Sequence, residues 1–259
     1  MEPQPNKKED RLFVASIEKA FQVLEAFRGD RRDLGLTDIM SRTSLGKSAT
    51  QRYIHTLERL EYLQKDESTR RYKLSKKILE PANSFLRTNP LVTTTTPYLV
   101  DLRSKLNARI GLACEHGTQA MYLLPLQSNN VAFRTAQPGF TVPLFCSAAG
   151  RLFLSIKSDE KIRLFLESIE RPKYTPKTIT DIEQILSEIQ TTRVKGFSVT
   201  EEELRLGDVN LAVPVFGSLG ELIASLVVVC NRHEWSRERV IDEVYPLVSA
   251  TAQSISTQY

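Results

Sequence analysis

The sequence predicts an α+β protein: a small winged helix-turn-helix, a helical linker, and a larger second domain of paired strands with inserted helices. Three observations predict it. Two short amphipathic helical patterns meet at Ser44-Leu45-Gly46. A basic hairpin pattern follows them at once. Beyond about residue 98 strands come in adjacent pairs with helices between them, which suits α+β and not a doubly wound sheet.

The first element is a helix whose apolar stripe is Ile17, Ala20, Phe21 and Leu24. Thr37 suits the N-cap of a second helix carrying Asp38, Ile39, Met40 and Arg42. After the turn, a third helix from Lys47 aligns Tyr53, Ile54, Leu57 and Leu60 on one face by three- and four-residue spacing. Its other face shows Lys47, Ser48, Gln51, Arg52 and His55, side chains able to donate to phosphates and to base edges in a major groove. Taken alone, this segment leaves two readings open, a DNA-binding helix pair or a solvated basic face in an ordinary helical protein.

The next residues favour DNA. Tyr62 to Lys65 has the pattern of a strand, Asp66 to Thr69 of a turn, and Arg70 to Leu74 of a returning strand with Tyr72 and Leu74 alternating inward. A hairpin there is a wing, and Arg70 and Arg71 would lie against the DNA backbone or minor groove. Residues 1–88 hold 18 Lys and Arg against 13 Asp and Glu, whereas residues 89–259 hold 17 against 18, so the chain's basic excess lies in the candidate DNA-binding part.

Ser75 to Arg87 reads as a helix with Ile78, Leu79, Ala82 and Leu86 apolar and Pro81 early within it. Thr88-Asn89-Pro90 breaks it. The threonine run 93–96 with Pro97 reads as the first turn of another helix continuing through Tyr98, Leu99, Leu102 and Leu106. Such a helical linker would transmit orientation between domains. Strands are expected at Ile110–His116, Ala120–Gln127 and Val131–Ala136, and a helix over Ser158–Ile169. A capping box at Thr180–Glu183 opens a further helix closed by Gly196. Leu211–Phe216 and Leu222–Cys230 are apolar strands around Gly217–Gly220, and a last helix runs from about Arg237 to Ile255. The expected domains are a disordered tail (1–11) able to brush DNA through Lys7, Lys8 and Arg11, the winged helix (12–75), the linker (76–97) and the second domain (98–259).

At 259 residues, 41% hydrophobic and 25% charged, the composition is that of an ordinary soluble protein. No apolar run approaches the ~20 residues that cross a bilayer, and MEPQPNKKED lacks the apolar centre of a secretion signal. Cys114, Cys146 and Cys230 are odd in number and far apart, so no disulfide framework is expected, and the expected location is the cytoplasm. Catalysis by Cys146 with His116 or His233 lacks an activating pair at recognisable spacing. No metal-ligand spacing joins the histidines and cysteines. Glu201-Glu202-Glu203 reads as a solvated acidic loop, and Trp235 as a core or edge anchor. The reading is therefore of no enzyme, no metal and no cofactor.

Several stretches resemble the IclR family of bacterial transcriptional regulators. They are Gly46 to Arg52, against the family's Lys-Ser-Thr-x-x-Arg pattern; Pro143 to Arg151, against P-L-H-x-x-A-x-G-K; Tyr174 to Thr180, against T-x-x-T-I-T; and Gly196 to Glu203, Gly207 and Ala212 to Val215, against G-Y-x-x-x-x-E-E with a later G and A-x-P-V. The resemblance runs from about Phe13 to Ser254. It implies that the second domain is GAF-like and senses a small metabolite in a pocket drawing on Ser147, Ala148, Ala149, Thr200, Asp208, Asn210, Val227 and Val229. Small residues at a helix start let a ligand carboxylate approach backbone N–H groups, though they also simply allow close packing. Phe145 stands where the family often has histidine and Thr200 where it often has an acid. Val227 and Val229 stand where sensors of short acids have serines, so their apolar wall favours a larger, flatter effector such as an aromatic acid. The expected partners are a double-stranded DNA operator, a small organic or aromatic acid, and a second copy or more of the chain (homodimer or homotetramer), with no membrane. The effector would alter the spacing of two winged helices through the linker. The alternative is a DNA-binding protein whose second domain only dimerises.

Overall fold

The computed structural model describes residues 11–29, 33–106, 108–128 and 137–258, which fall into two compact units divided between Phe85 and Leu86. The expected strand Val131–Ala136 and tail residues Lys7 and Lys8 lie outside the described residues; Arg11 is exposed.

The first unit contains α1 (Ala15–Glu25), α2 (Leu36–Thr43), α3 (Lys47–Arg59), β1 (Leu63–Lys65) and β2 (Tyr72–Leu74). Its core gathers Val23, Phe27, Leu34, Ile39, Ile54, Leu57 and Leu63. Two expectations change. The buried side of α1 is the one bearing Val23, while Ile17 and Phe21 are exposed. Likewise Leu60 follows the end of α3 and points outward. Helix α2 starts one residue before Thr37, because the Asp38 carboxylate reaches back to accept the Gly35 N–H at 3.0 Å. The hairpin pairs Leu63 with Leu74 and Lys65 with Tyr72, and Leu34 makes an isolated antiparallel bridge to Tyr72. Leu74 is partly exposed, so Leu63 supplies the hairpin's buried side chain.

A 3₁₀ turn, Lys76–Ile78, leads into α4 (Leu79–Thr88), where Pro81 lies in the first turn and its missing N–H costs no helical bond. The division between units falls inside this helix. Helix α5 (Pro90–Leu106) begins earlier than expected. Asn89 caps it, its Oδ1 accepting the Val92 N–H at 3.2 Å, and Pro90 takes the first helical position. Pro97 is consequently interior to the helix and not its opening residue.

Among the described residues the second unit is built on an antiparallel sheet of order β5-β4-β3-β8-β7-β6. These strands are β3 (Arg109–His116), β4 (Gln119–Leu126), β5 (Thr141–Pro143), β6 (Ser198–Glu201), β7 (Asp208–Phe216) and β8 (Leu222–Asn231). On one face lie α5 and the C-terminal segment, which is α9 (Arg237–Arg239), a π-helical stretch Val240–Val244 and α10 (Tyr245–Ser256). On the other lie α6 (Ala148–Ser155), α7 (Asp159–Glu167) and α8 (Ile182–Lys195). Alternation along β8 sends Val228 to the first face and Val227 to the second, so the central strand is buried on both sides. Asp181, not Thr180, caps α8 by accepting the Gln184 N–H at 3.0 Å, and Gly196 ends it at φ +75°. Half-buried Trp235 packs on the first face beneath the Arg239 guanidinium, 4.4 Å from its ring centre.

Candidate DNA-reading helix and candidate effector cavity

In the first unit, the turn between α2 and α3 depends on Ser44, which adopts a left-handed conformation (φ +56°) and donates its N–H to the Met40 carbonyl at 3.0 Å. Buried Thr50 returns its hydroxyl to the Gly46 carbonyl at 3.1 Å, and Ile54 and Leu57 turn the same side of α3 into the core. The opposite side is thereby fixed outward. Lys47, Gln51 and His55 follow at four-residue intervals with Ser48 and Arg52 beside them, and all five are exposed.

The two wing arginines differ. Arg70 is exposed at the end of the hairpin turn with φ +55°. Arg71 is held within its own unit: Nε meets Asp33 Oδ1 at 2.5 Å and Nη2 meets Asp38 Oδ2 at 2.8 Å. Since Asp38 also caps α2, Arg71 fastens the wing to that helix. The turn itself closes on Asp66, whose Oδ1 accepts the Ser68 and Thr69 N–H groups and the Ser68 hydroxyl.

The second unit contains a cavity of about 590 Å³ between the sheet and α6. Strand register builds its floor. Arg109, Val229 and Asn210 stand side by side on β3, β8 and β7, and two residues along Gly111 and Val227 form the next row of the same face. Gly111 is required there: a Cβ would meet the Tyr122 ring at 2.6 Å. Overhead, Ser147 caps α6, its hydroxyl accepting the Gly150 N–H at 3.0 Å and donating to the Pro143 carbonyl. Gly150 lets α6 settle on the chain, since a Cβ would come within 2.2 Å of Leu144 Cα. Ala148 and Ala149 are buried, line the cavity, and have N–H groups with no hydrogen-bond partner among the described residues. Phe140 and Tyr174, each half exposed, flank the opening; Phe140 packs on Tyr122 and Tyr174 stacks on Phe145.

Of the residues read from the sequence, Ser147, Ala148, Ala149, Asp208, Asn210, Val227 and Val229 come together in this cavity. Thr200 does not. It is buried opposite Asn210 on the edge strand β6, one strand outward from the wall. The reading missed Arg109, Tyr122, Tyr174 and Arg205, all of which line the cavity. Arg109 donates to Asp208 Oδ1 across the floor. Burial raises the Asp208 carboxyl above its ordinary pKa, with Arg109 and Arg205 opposing. Burial also lifts the Tyr122 phenol to about 12, so it remains a neutral hydroxyl.

Glu201-Glu202-Glu203 is not a uniformly solvated loop. Glu201 pairs with Arg232, Glu202 with Lys177, and buried Glu203 with buried Arg151 of α6. The Thr178 hydroxyl donates to the Glu203 carbonyl at 2.6 Å and that of Thr175 to the Glu202 carbonyl at 2.7 Å, which joins the loop bearing Tyr174 to the loop bearing Leu204 and Arg205. Cys146 is buried and its thiol is pushed well above the usual range by that burial. Among the described residues no cluster of three His, Cys, Asp or Glu is placed to hold a metal ion, and no helix is long and apolar enough to cross a membrane.

The family model for the bacterial transcriptional regulator IclR C-terminal domain matches residues 83–257, and that for the IclR helix-turn-helix domain matches residues 16–67. The chain is 26% identical over 250 residues to the Pca regulon regulatory protein of Pseudomonas putida, covering 96% of this chain and 85% of that protein. It is 29% identical over 248 residues to the p-hydroxybenzoate hydroxylase transcriptional activator of Acinetobacter baylyi, covering 94% and 91%. The crystal structure of an IclR family transcriptional regulator from Brucella abortus has the same fold, with a TM-score of 0.85 and 24% identity over 98% of this chain and 96% of that one.

Proposed function

This chain belongs to the IclR family of bacterial transcriptional regulators, and we propose that its affinity for an operator is set by a small organic acid of aromatic character bound in the cavity of the second unit. Proteins of this family regulate transcription and are not enzymes. The observation that carries the effector reading is that Ala148 and Ala149, buried at the start of α6 and lining a cavity of about 590 Å³, have N–H groups with no hydrogen-bond partner among the described residues. A helix N-terminus with free donors favours an anion, and a carboxylate there meets two N–H groups and the helix dipole together. The cavity is in the usual size range for small-molecule sites. Its walls of Val227, Val229, Tyr122, Phe140 and Tyr174 suit a flat apolar body. One relative is named as the p-hydroxybenzoate hydroxylase transcriptional activator, which points the same way.

On the DNA side, Gln51 and Arg52 read bases, Lys47 and Ser48 hold phosphate, His55 lies further along the groove, and Arg70 reaches the backbone beside it. Arg71 acts through the wing's position. Helix-turn-helix operators are commonly two-fold, so the working form is a homo-oligomer. The effector shifts the DNA-competent population through residues 76–97, and a coupling of ~1–3 kcal/mol suffices for a useful response.

The test is binding of the full chain to its own upstream intergenic DNA at two salt concentrations, with and without a panel of organic and aromatic acids. Specific binding that weakens with salt and is altered by one acid is expected. Specific binding indifferent to every acid, with no saturable acid site, would overturn the effector reading and leave a second domain that serves assembly alone.

A further inference from the structure

We propose that the wing measures minor-groove width. Arg70 is drawn to one phosphate backbone while Glu67 is repelled by the opposite one, so a narrow A·T-rich groove under the wing is rejected. This rests on the reading above in which Arg70 reaches the DNA backbone. The turn carrying both residues is closed at its base, where the Asp66 N–H meets the Arg71 carbonyl at 2.8 Å. Within it, Asp66 Oδ1 accepts from Ser68 and Thr69. Glu67 leaves the turn on its β1 side and Arg70 on its β2 side, and both are exposed. Opposite charges therefore stand on the two edges of one hairpin.

The contacts along the turn keep the two edges distinct. Lys65, the last residue of β1, gives its ammonium to Glu67, 2.9 Å from Oε2 and 3.2 Å from Oε1. That contact places the Glu67 carboxylate, yet the Glu67 side chain stays 80% exposed. An exposed ion pair adds little stability, so the fold does not account for Glu67. The Ser68 hydroxyl foremost, then the Thr69 and Ser68 N–H groups, hold the Asp66 carboxyl below its ordinary pKa, and a second negative charge stays on that edge. On the other edge Arg71 is turned back to Asp33 and Asp38, which leaves Arg70 as the arginine at the surface of the turn. An ordinary minor groove is ~6 Å wide, with room for Arg70 to take one backbone while Glu67 stays clear of the other. An A·T tract narrows the groove and deepens its negative potential, which brings the second backbone against the acidic edge. With a Debye length of ~8–10 Å, that repulsion is felt across one groove and not along the whole site.

The test uses the full chain and the stretch of its upstream intergenic DNA that it protects in a footprint. A·T tracts and alternating G·C steps are exchanged through each minor groove of that site in turn. At the groove under the wing, wild type should bind the A·T version more weakly than the G·C version. Glu67→Gln should gain at least threefold more on the A·T version than on the G·C version. The same difference should persist when Lys65→Gln is present in both chains, since the effect belongs to Glu67 and not to a released Lys65. Equal gains on both versions would overturn the proposal, because Glu67 would then restrain affinity without reading the groove. A difference that vanishes in the Lys65→Gln background would also refute it. Unchanged binding by Glu67→Gln, with Arg70→Ala still lowering the salt dependence, would sink the proposal and leave the wing on the DNA. If neither variant alters binding, the reading of Arg70 at the backbone fails, and groove measurement with it.

Discussion

Arg151 and Glu203 form a two-pronged ion pair beneath α6, Nη1 to Oε1 at 2.7 Å and Nη2 to Oε2 at 2.9 Å, with the Arg151 side chain 1% exposed. Glu203 Oε2 also accepts the Ile179 N–H at 3.1 Å. The helix that starts at the cavity is thus tied to both loops that carry Tyr174, Leu204 and Arg205 toward it. Removing Glu203 leaves Arg151 charged and buried, with only the more exposed Glu188 carboxylate, 3.6 Å from Nη1, to balance it. Glu203→Ala is expected to destabilise the chain by ~3–5 kcal/mol, measured by urea denaturation. A loss under ~1 kcal/mol would mean that Glu188 or water takes over from Glu203 at Arg151 in the folded chain.

Gly150 and Gly111 make different demands. A Cβ at 150 strikes the Leu144 main chain, which has no rotamer to escape by, whereas one at 111 strikes the Tyr122 ring. Gly150→Ala should cost at least ~2–3 kcal/mol in chemical denaturation. Gly111→Ala should cost less, since the ring can move, but should remake the cavity and weaken any acid that binds wild type. Equal stability losses in the two variants would contradict this difference.

The wing arginines should separate experimentally. Arg70→Ala is expected to leave thermal stability unchanged and to reduce the slope of log affinity against log salt by about 1, one phosphate contact fewer. Arg71→Ala should lower the melting temperature of the first unit, because it frees the wing from Asp33 and Asp38. Differential scanning calorimetry and DNA titration at four salt concentrations decide both.

Arg52→Ala is expected to weaken operator binding by ~1–3 kcal/mol and to relax sequence preference at one base pair. Affinity lost uniformly over all sequences would make Arg52 a phosphate contact. A competition assay on single-base operator variants distinguishes the two.

Burial raises the thiol pKa of Cys114 to about 11 and that of Cys230 to about 12, and that of Cys146 higher still. The folded state therefore holds these protons, and the reactive thiolate becomes abundant only as pH climbs toward those values. Iodoacetamide at pH 7.5 should label the folded chain slowly and the urea-unfolded chain quickly. Rapid labelling of any cysteine in the folded chain would show a local opening around it.

Long periodic segments were legible from residue spacing, α3, α7, α8 and the strand pairs β3–β4 and β7–β8 among them. Where spacing misled, two patterns competed. Along and just after α1 the expected stripe Ile17, Ala20, Phe21 and Leu24 competes with the series Val23, Ala26 and Phe27. Packing against α3 buries the second series, while Ile17 and Phe21 stay exposed and Leu24 is partly buried. Pro97 invited a helix start because Pro90, a better one, was read as part of a break. Strands β5 and β6 span three and four residues, too few to display alternation. The cavity was legible where motifs lay on contiguous residues, as at Ser147 to Ala149. Arg109 was not, because its meaning comes from Asp208, 99 residues later in the chain.

That separation also bears on how the protein is made. Strand β8 joins β3 to β7, with Val229 seated beside both Arg109 and Asn210, so the middle of the sheet is the last strand to leave the ribosome. The winged helix is complete once residue 85 has emerged, and it can fold while translation continues. Until Leu222 and its successors appear, β3 and β7 each carry an unpaired edge. A nascent chain stalled in that interval would hold a finished DNA-reading module beside half-built strands prone to self-association.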